Sequence, residues 1–262
     1  MNSTAFSLMY HDVVPAGQFE SSGMSGAGAR VYKVEQAEFI AHLDAIGGLG
    51  MGGVGLRAGD ECGGLCPVYL TFDDGGSSAA WIASELDRRG WKGHFFVVSD
   101  WIGRAGFLSA AELREMAARG HVIGSHSCSH PPRLSALPPD EIGRQWKESV
   151  EALSDIVGGA VTVASVPGGF YSTVVGEAAE RAGIRHLFTS EPASRWERLG
   201  TMRLLGRYHV QRGTAVEEIL SFAGGRDSGP RRRQAFSWTL RKAAKSLFGG
   251  FYEQVRLRLI RP

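Results

Sequence analysis

The stretch VYLTFDDGG, residues 68–76, decides how this chain is read. Its first five residues form a short apolar run without alternation, the pattern of a strand buried on both faces. The run ends in two adjacent carboxylates, Asp73 and Asp74, followed by two glycines. Neighbouring carboxylates after a buried strand are not both comfortable unless a cation or a proton joins them. One can hold a metal while the other stays free to accept a proton.

Outward from this point the same grammar repeats. Further strands are expected over 6–10, 94–98, 121–125, 161–165, 184–189 and 203–209. Helices are expected over 35–46, 77–89, 109–118, 139–157, 173–182 and 214–222. Ser109 followed by Glu112 is a capping box. Strand and helix in regular alternation predict a parallel sheet, open or closed into a barrel, and periodicity alone does not choose between them. In such folds the site is built at the C-terminal ends of the strands. The strand over 121–125 runs into His126, Ser127, Cys128, Ser129 and His130. Two imidazoles four residues apart, just past a strand, can share one cation. Asp plus two His suits a divalent transition metal with positions left for water and substrate, zinc ahead of cobalt, nickel, manganese or iron. Water activated by such a metal, with a carboxylate alongside as base, points to hydrolysis of an amide or ester.

TFDDG at 71–75 and HSCSH at 126–130 resemble the first two motifs of the polysaccharide deacetylase (NodB-homology, carbohydrate esterase family 4-like) family, over roughly 6–222. The resemblance implies a distorted (β/α) barrel of the NodB-homology type and removal of N-acetyl groups from an amino sugar in a glycan or in a lipid- or nucleotide-linked sugar. It makes Asp73 the base and Asp74, His126 and His130 the metal ligands. The family's third motif, Arg-x-Pro-Tyr-Gly, stands here as Ser165, Val166, Pro167, Gly168 and Gly169. The Gly168 N–H is then the candidate oxyanion donor. Ser165 replaces the Arg that would orient the base, and Arg207 is the candidate substitute. The Asp-Trp pair of the fourth motif is not evident at 189–192. The fifth motif is loosely matched at 207–209, giving His209 as candidate general acid for the departing amine. MYHDV at 9–13 resembles a signature of a subset of the family and brings in His11 as rival acid or substrate contact. His42, His94, His121 and His186 read as structural, and Cys128 as a packing thiol.

Composition bounds the rest. The chain has 262 residues, 43% hydrophobic and 21% charged, enough for one large α/β domain or two small ones. Three cysteines make no disulfide framework, and free thiols are the expectation. Residues 226–262 carry a net charge of +8 against −6 for residues 1–225. The expected organisation is a catalytic domain over 1–225, a linker near 223–230 and a basic amphipathic tail over 226–262. Within that tail Phe236, Leu240, Ala244, Leu247, Phe251, Val255 and Leu259 recur at near-helical intervals, so 231–262 is a candidate for lying on an anionic membrane surface, and equally for a helix that packs back on the domain or for a partner-binding segment. A carbohydrate is the expected partner, with nucleic acid set aside because no nucleic-acid module is present. The N-terminus has no signal-peptide pattern, and the expected location is the cytoplasm, peripheral on the inner face of the membrane if the tail docks there. Two rival readings stay open: a catalytically silent sugar-binding or scaffold domain, favoured by the altered third motif and the vague fourth and fifth, and an esterase acting on O-acetyl sugars.

Overall fold

The structure, a computed structural model, describes residues 4–55 and 67–240. In chain order its elements are β1 (Phe6–Tyr10), β2 (Asp12–Val14), α1 (Ala27–Arg30), β3 (Lys33–Glu35), α2 (Gln36–Gly48), β4 (Val68–Phe72), α3 (Ser78–Asp87), β5 (His94–Val97), α4 (Ala110–Ala118), β6 (Val122–Ser125) and α5 (Pro139–Val157). They continue through β7 (Val163–Ser165), α6 (Thr173–Arg181), β8 (His186–Phe188), β9 (Trp196–Leu199), β10 (Met202–Leu205), β11 (Tyr208–His209) and α7 (Val216–Phe222). A last helix, α8, covers 229–240.

The strands pair in the order β11-β1-β4-β5-β6-β7-β8-β10-β9, all parallel except the β9–β10 hairpin. The expected single strand over 203–209 is in fact two. β10 pairs with β8 at one end of the order, and β11 pairs with β1 at the other. Only Gly206 and Arg207 separate them, so this one segment runs from next to the β9 edge to the β11 edge, and the sheet curls into a distorted barrel. A pure periodicity reading missed the break because both halves are apolar. It also missed β2, β3 and β9, which are three or four residues long and carry no period to detect.

Alternate residues of the barrel strands serve different layers. Val68, Leu70 and Phe72 of β4 face the helices and join Tyr10, Phe39, Phe95, Ile82 and Leu113 in the largest core cluster. Tyr69 faces inward and meets Phe96, Phe188, Val163 and Leu205. Fully burying such a side chain stabilises the fold by roughly 1.5–3 kcal/mol. The helices close over the outside for local reasons. α4 opens on the Ser109–Glu112 capping box, with both reciprocal bonds formed. α5 starts at Pro139, ends at Gly158 in the left-handed region (φ 71°), and buries Ile142, Trp146, Ser149 and Leu153 along one stripe. The interior below the strand ends is therefore apolar and rigid, and the polar residues that follow each strand are carried on it.

The segment expected as a linker does not separate α8 from the barrel. Arg231 donates to the Ser221 carbonyl and lies over the Phe6 ring, 5.2 Å from its centroid. Residues 229–240 thus pack on the domain, whereas 241–262 of the expected tail lie outside the described residues. So do Cys62 and Cys66. Cys128 is a buried thiol donating to Asp100 Oδ1 at 3.1 Å. No helix among the described residues is long and apolar enough to cross a membrane.

Candidate metal centre and active-site cavity

β4 ends in Asp73 and Asp74, and β6 ends in the loop that carries His126 and His130. Because β5 lies between β4 and β6, the two motifs stand two strands apart on the same barrel mouth. His126 Nε2 lies 3.4 Å from Asp74 Oδ1, and His130 Nε2 lies 3.6 Å from the same oxygen. One ligand atom from each of the three residues falls within 4.8 Å of the others. Ligands at about 2.0–2.1 Å in a tetrahedron stand roughly 3.4 Å apart, so the set has the spacing of a metal triad.

The backbone is bent to make this possible. Asp74 (φ 74°), Ser127 (φ 65°) and His130 (φ 53°) are the non-glycine residues with positive φ among the described residues. All three belong to the two motif loops. Such conformations persist where the surroundings hold them, and here they cluster at the site. The Ser127 hydroxyl oxygen accepts the His130 N–H at 3.1 Å, and Gln145 Oε1 accepts the Ser129 N–H at 3.0 Å.

The chemistry of the donors fits a cation. Asp74 Oδ1 is buried without a hydrogen-bond donor. Burial, then the charges of Asp73 and Asp12, push the Asp74 carboxyl well above the usual carboxylate range, so a positive charge is what this oxygen lacks. Burial also drives His126 down to about 3 and lowers His130, which leaves both imidazoles neutral, the form that ligates. His126 Nδ1 faces the Ser165 carbonyl at 3.1 Å and the Ser165 hydroxyl at 2.6 Å. Donation from Nδ1 leaves Nε2 with its lone pair toward Asp74.

Asp73 is held differently. Arg207 donates to it through both terminal nitrogens, at 2.6 Å to Oδ1 and 2.8 Å to Oδ2. Arg207 is itself fully buried, with Nε donating to the Thr189 carbonyl at 3.1 Å and one terminal nitrogen to the Thr71 hydroxyl at 3.2 Å. Burial alone would raise the Asp73 pKa, but the Arg207 guanidinium overrides it and holds the carboxyl below its usual range. The Ser165 hydroxyl also donates to Asp73 Oδ1 at 3.2 Å. Ser165 therefore links the candidate base to the candidate ligand His126, a role its motif position did not reveal. Arg207 reaches Asp73 because it sits in the two-residue break between β10 and β11.

A cavity of about 620 Å³ opens over these groups. Asp73, Asp74, His126, His130, His11, Gly168 and His209 all line it. The cavity thus gathers all seven of the candidate catalytic and metal-ligating residues. His42, His94, His121 and His186 do not line it. His11 follows β1, packs on Tyr32 at 4.7 Å between ring centroids, and leaves its buried Nδ1 without a protein partner. Burial lowers its pKa first, with Asp73 acting in the opposite sense. His209, at the end of β11, meets the Ser190 carbonyl through Nε2 at 2.7 Å. Gly168 sits at φ 64°, where an L side chain is strained, and a Cβ there would meet the Pro132 carbonyl at 3.1 Å.

Two contributors were not legible in the sequence. Asp12, buried after His11, accepts from the Ser22 hydroxyl at 2.5 Å and the Ser78 hydroxyl at 2.8 Å, tying the loop after β2 to the start of α3. Its place directly after His11 was the one available hint. Trp238 of α8 also lines the cavity, and nothing in the tail's composition marked it.

Comparison with known proteins agrees with this geometry. Residues 63–187 match the family model described as Polysaccharide deacetylase. YxkH of Bacillus subtilis, provisionally named a polysaccharide deacetylase, is 28% identical over 197 residues, 71% of this chain and 64% of its own. The peptidoglycan-N-acetylglucosamine deacetylase PgdA of Listeria monocytogenes is 31% identical over 132 residues, 50% of this chain and 27% of that protein. The chain thus spans less than two thirds of the length of these curated relatives. The solved de-N-acetylase from Aggregatibacter actinomycetemcomitans superposes with a TM-score of 0.71 at 19% identity, covering 84% of this chain and all of that one, so the fold is shared. Both motif loops stand on one barrel mouth and fall within residues 63–187, the part of the chain that matches the polysaccharide deacetylase family model.

Proposed function

We propose that the chain is a metal-dependent N-deacetylase that hydrolyses the acetamido group of an amino sugar, giving acetate and the free amine. The observation that supports this most is the convergence of Asp74, His126 and His130 on one point beside an Asp73 clamped by Arg207. Two imidazoles and one carboxylate suit zinc, with cobalt, nickel, manganese and iron as rivals. When bound, such a cation supplies Lewis acidity toward the acetamido carbonyl and toward water.

The chain's own residues supply the rest. Asp73, oriented by two guanidinium N–H groups, accepts the proton of the attacking water. The Gly168 amide donates to the oxygen that gains negative charge, a role that needs no side chain. His209 protonates the leaving amine, its ring anchored at Nε2 by the Ser190 carbonyl. His11 is the competing donor. The two are separable by leaving group. His209→Ala is expected to slow release from an N-acetyl sugar by about 10²–10⁴-fold. It should leave hydrolysis of 4-nitrophenyl acetate, whose leaving group needs no proton, within a few fold. If His11→Ala shows that signature instead, the acid is His11.

The silent-domain reading rests on the missing motif-three Arg and on the vague fourth and fifth motifs. Arg207, paired with Asp73, answers the first of these, and the acetate-release assay decides the rest. The esterase reading shares the same geometry and is a matter of assay. The protein is expected to hold one equivalent of divalent metal and to release acetate from N-acetyl amino sugars. Chelation should abolish release and zinc should restore it. Release from O-acetyl sugars alone would replace the amidase reading with the esterase one, and full activity after chelation would end both.

Docking on an anionic membrane is also proposed. Phe236 and Leu240 of α8 are exposed, with Arg232 and Arg233 exposed near them. Phe236→Asp with Leu240→Asp is expected to weaken co-sedimentation with phosphatidylglycerol vesicles, and unchanged co-sedimentation removes the proposal.

A further inference from the structure

The inner side of α8 has a second relation to the cleft. Beside the cavity that holds Asp73 and the metal triad lies another of about 310 Å³, between α7 and α8. His209, Gln211 and Trp238 line both. The two spaces are therefore neighbours along one groove, with the Trp238 side chain at their junction. The remaining walls of the second cavity are mostly polar, with Thr214, Glu218, Arg233 and Ser237 among them.

We propose that the second cavity is a subsite for a second sugar unit, so that the substrate is a glycan of at least two units and Trp238 is the platform between them. This rests on the deacetylase reading above. An indole face is apolar and flat and packs on the C–H face of a sugar ring, while hydroxyl groups need the kind of polar partners that stand around it. The volume falls at the lower end of the roughly 300–1,000 Å³ typical of small-ligand sites, the size of one further unit and not of a long chain.

The indole is built into the cleft, not laid against it by a loose tail. Gln234, one turn earlier on α8, accepts the His209 N–H at 2.8 Å and donates to the His209 carbonyl at 3.0 Å. This double bond to β11 fixes the helix against the barrel closure. The Trp238 ring packs on the His209 ring at 5.3 Å between centroids. Its Cη2 lies 3.1 Å from where a Cβ on Gly169 would stand, so glycine at 169 leaves the indole its room. On the far side, Glu218 of α7 and Arg233 of α8 pair at 3.7 Å and join the two helices that form the cavity.

The test is the dependence of acetate release on chain length, with N-acetylglucosamine and its dimer and trimer as probes. In the intact protein kcat/KM is expected to rise about tenfold or more from monomer to trimer, equivalent to about 1.4 kcal/mol or more. Ser237→Trp, which fills the second cavity, should flatten that rise. Glu218→Ala with Arg233→Ala changes only partly exposed groups and should also reduce it, mainly through KM for the trimer, which guards against a folding defect in the first variant. Equal kcat/KM for monomer and trimer, or a rise that survives both variants, would overturn the subsite while leaving the deacetylase reading in place. Absence of release at every length would sink the parent reading, and the subsite with it.

Discussion

His126→Ala is expected to lose both the bound metal and acetate release, whereas Asp73→Asn is expected to keep the metal and lose turnover. The separation follows from geometry. His126 Nε2 faces Asp74 Oδ1 at 3.4 Å, and its other nitrogen is fixed by Ser165, so its removal takes one of three ligands and leaves Asp74 buried without a donor. Losing a residue that hydrogen-bonds a ligand commonly weakens metal binding about 10–100-fold, and losing a ligand exceeds that. Asp73 stands outside the triad and is held by Arg207. Removing a general base commonly slows the reaction by about 10²–10⁴-fold. Metal content by elemental analysis, measured beside acetate release, reads the two effects separately. A full equivalent of metal in His126→Ala would refute the centre, and wild-type turnover in Asp73→Asn would refute the base.

Arg207→Met is expected to be the most destabilising single change at the site. Arg207 is fully buried and Asp73 nearly so, and the pair is bidentate. Breaking a buried pair by removing one partner typically costs about 3–5 kcal/mol, because the remaining charge is left uncompensated. For a chain of this size that lowers the thermal midpoint by on the order of 10 °C. Arg207→Lys should not rescue it, since an ammonium cannot supply two parallel N–H bonds to one carboxylate. Arg207→Met combined with Asp73→Leu should recover much of the stability and none of the activity, since an apolar replacement of both partners leaves no orphan charge. If Arg207→Met melts with the wild type, Asp73 does not depend on this clamp.

The family comparisons and the curled parallel barrel agree with the reading of VYLTFDDGG and of the His126–His130 loop. These features were legible because they are local. A strand buried on both faces has to be apolar throughout, and its end has to carry whatever polar chemistry the barrel mouth holds. The capping box of α4 and the stripe of α5 were legible for the same reason.

What the chain's order could not reveal is whatever depends on two distant segments meeting. The break at Gly206 and Arg207 is invisible in a stretch apolar on both sides, yet it closes the barrel and delivers Arg207 to Asp73, 134 residues away. Ser165 looked like a lost arginine and proves to bond to both Asp73 and His126. The basic tail left open whether its helix packs on the domain, and the Gln234 and Trp238 side chains of α8 stand against His209 in the cleft. Residue type and local period thus determined most of the strands and helices and the side chains proposed as metal ligands. Which arginine pairs with the base, and which aromatic walls the cavity, was decided only when the sheet curled, because burial and hydrogen bonding act between neighbours in space and not in sequence.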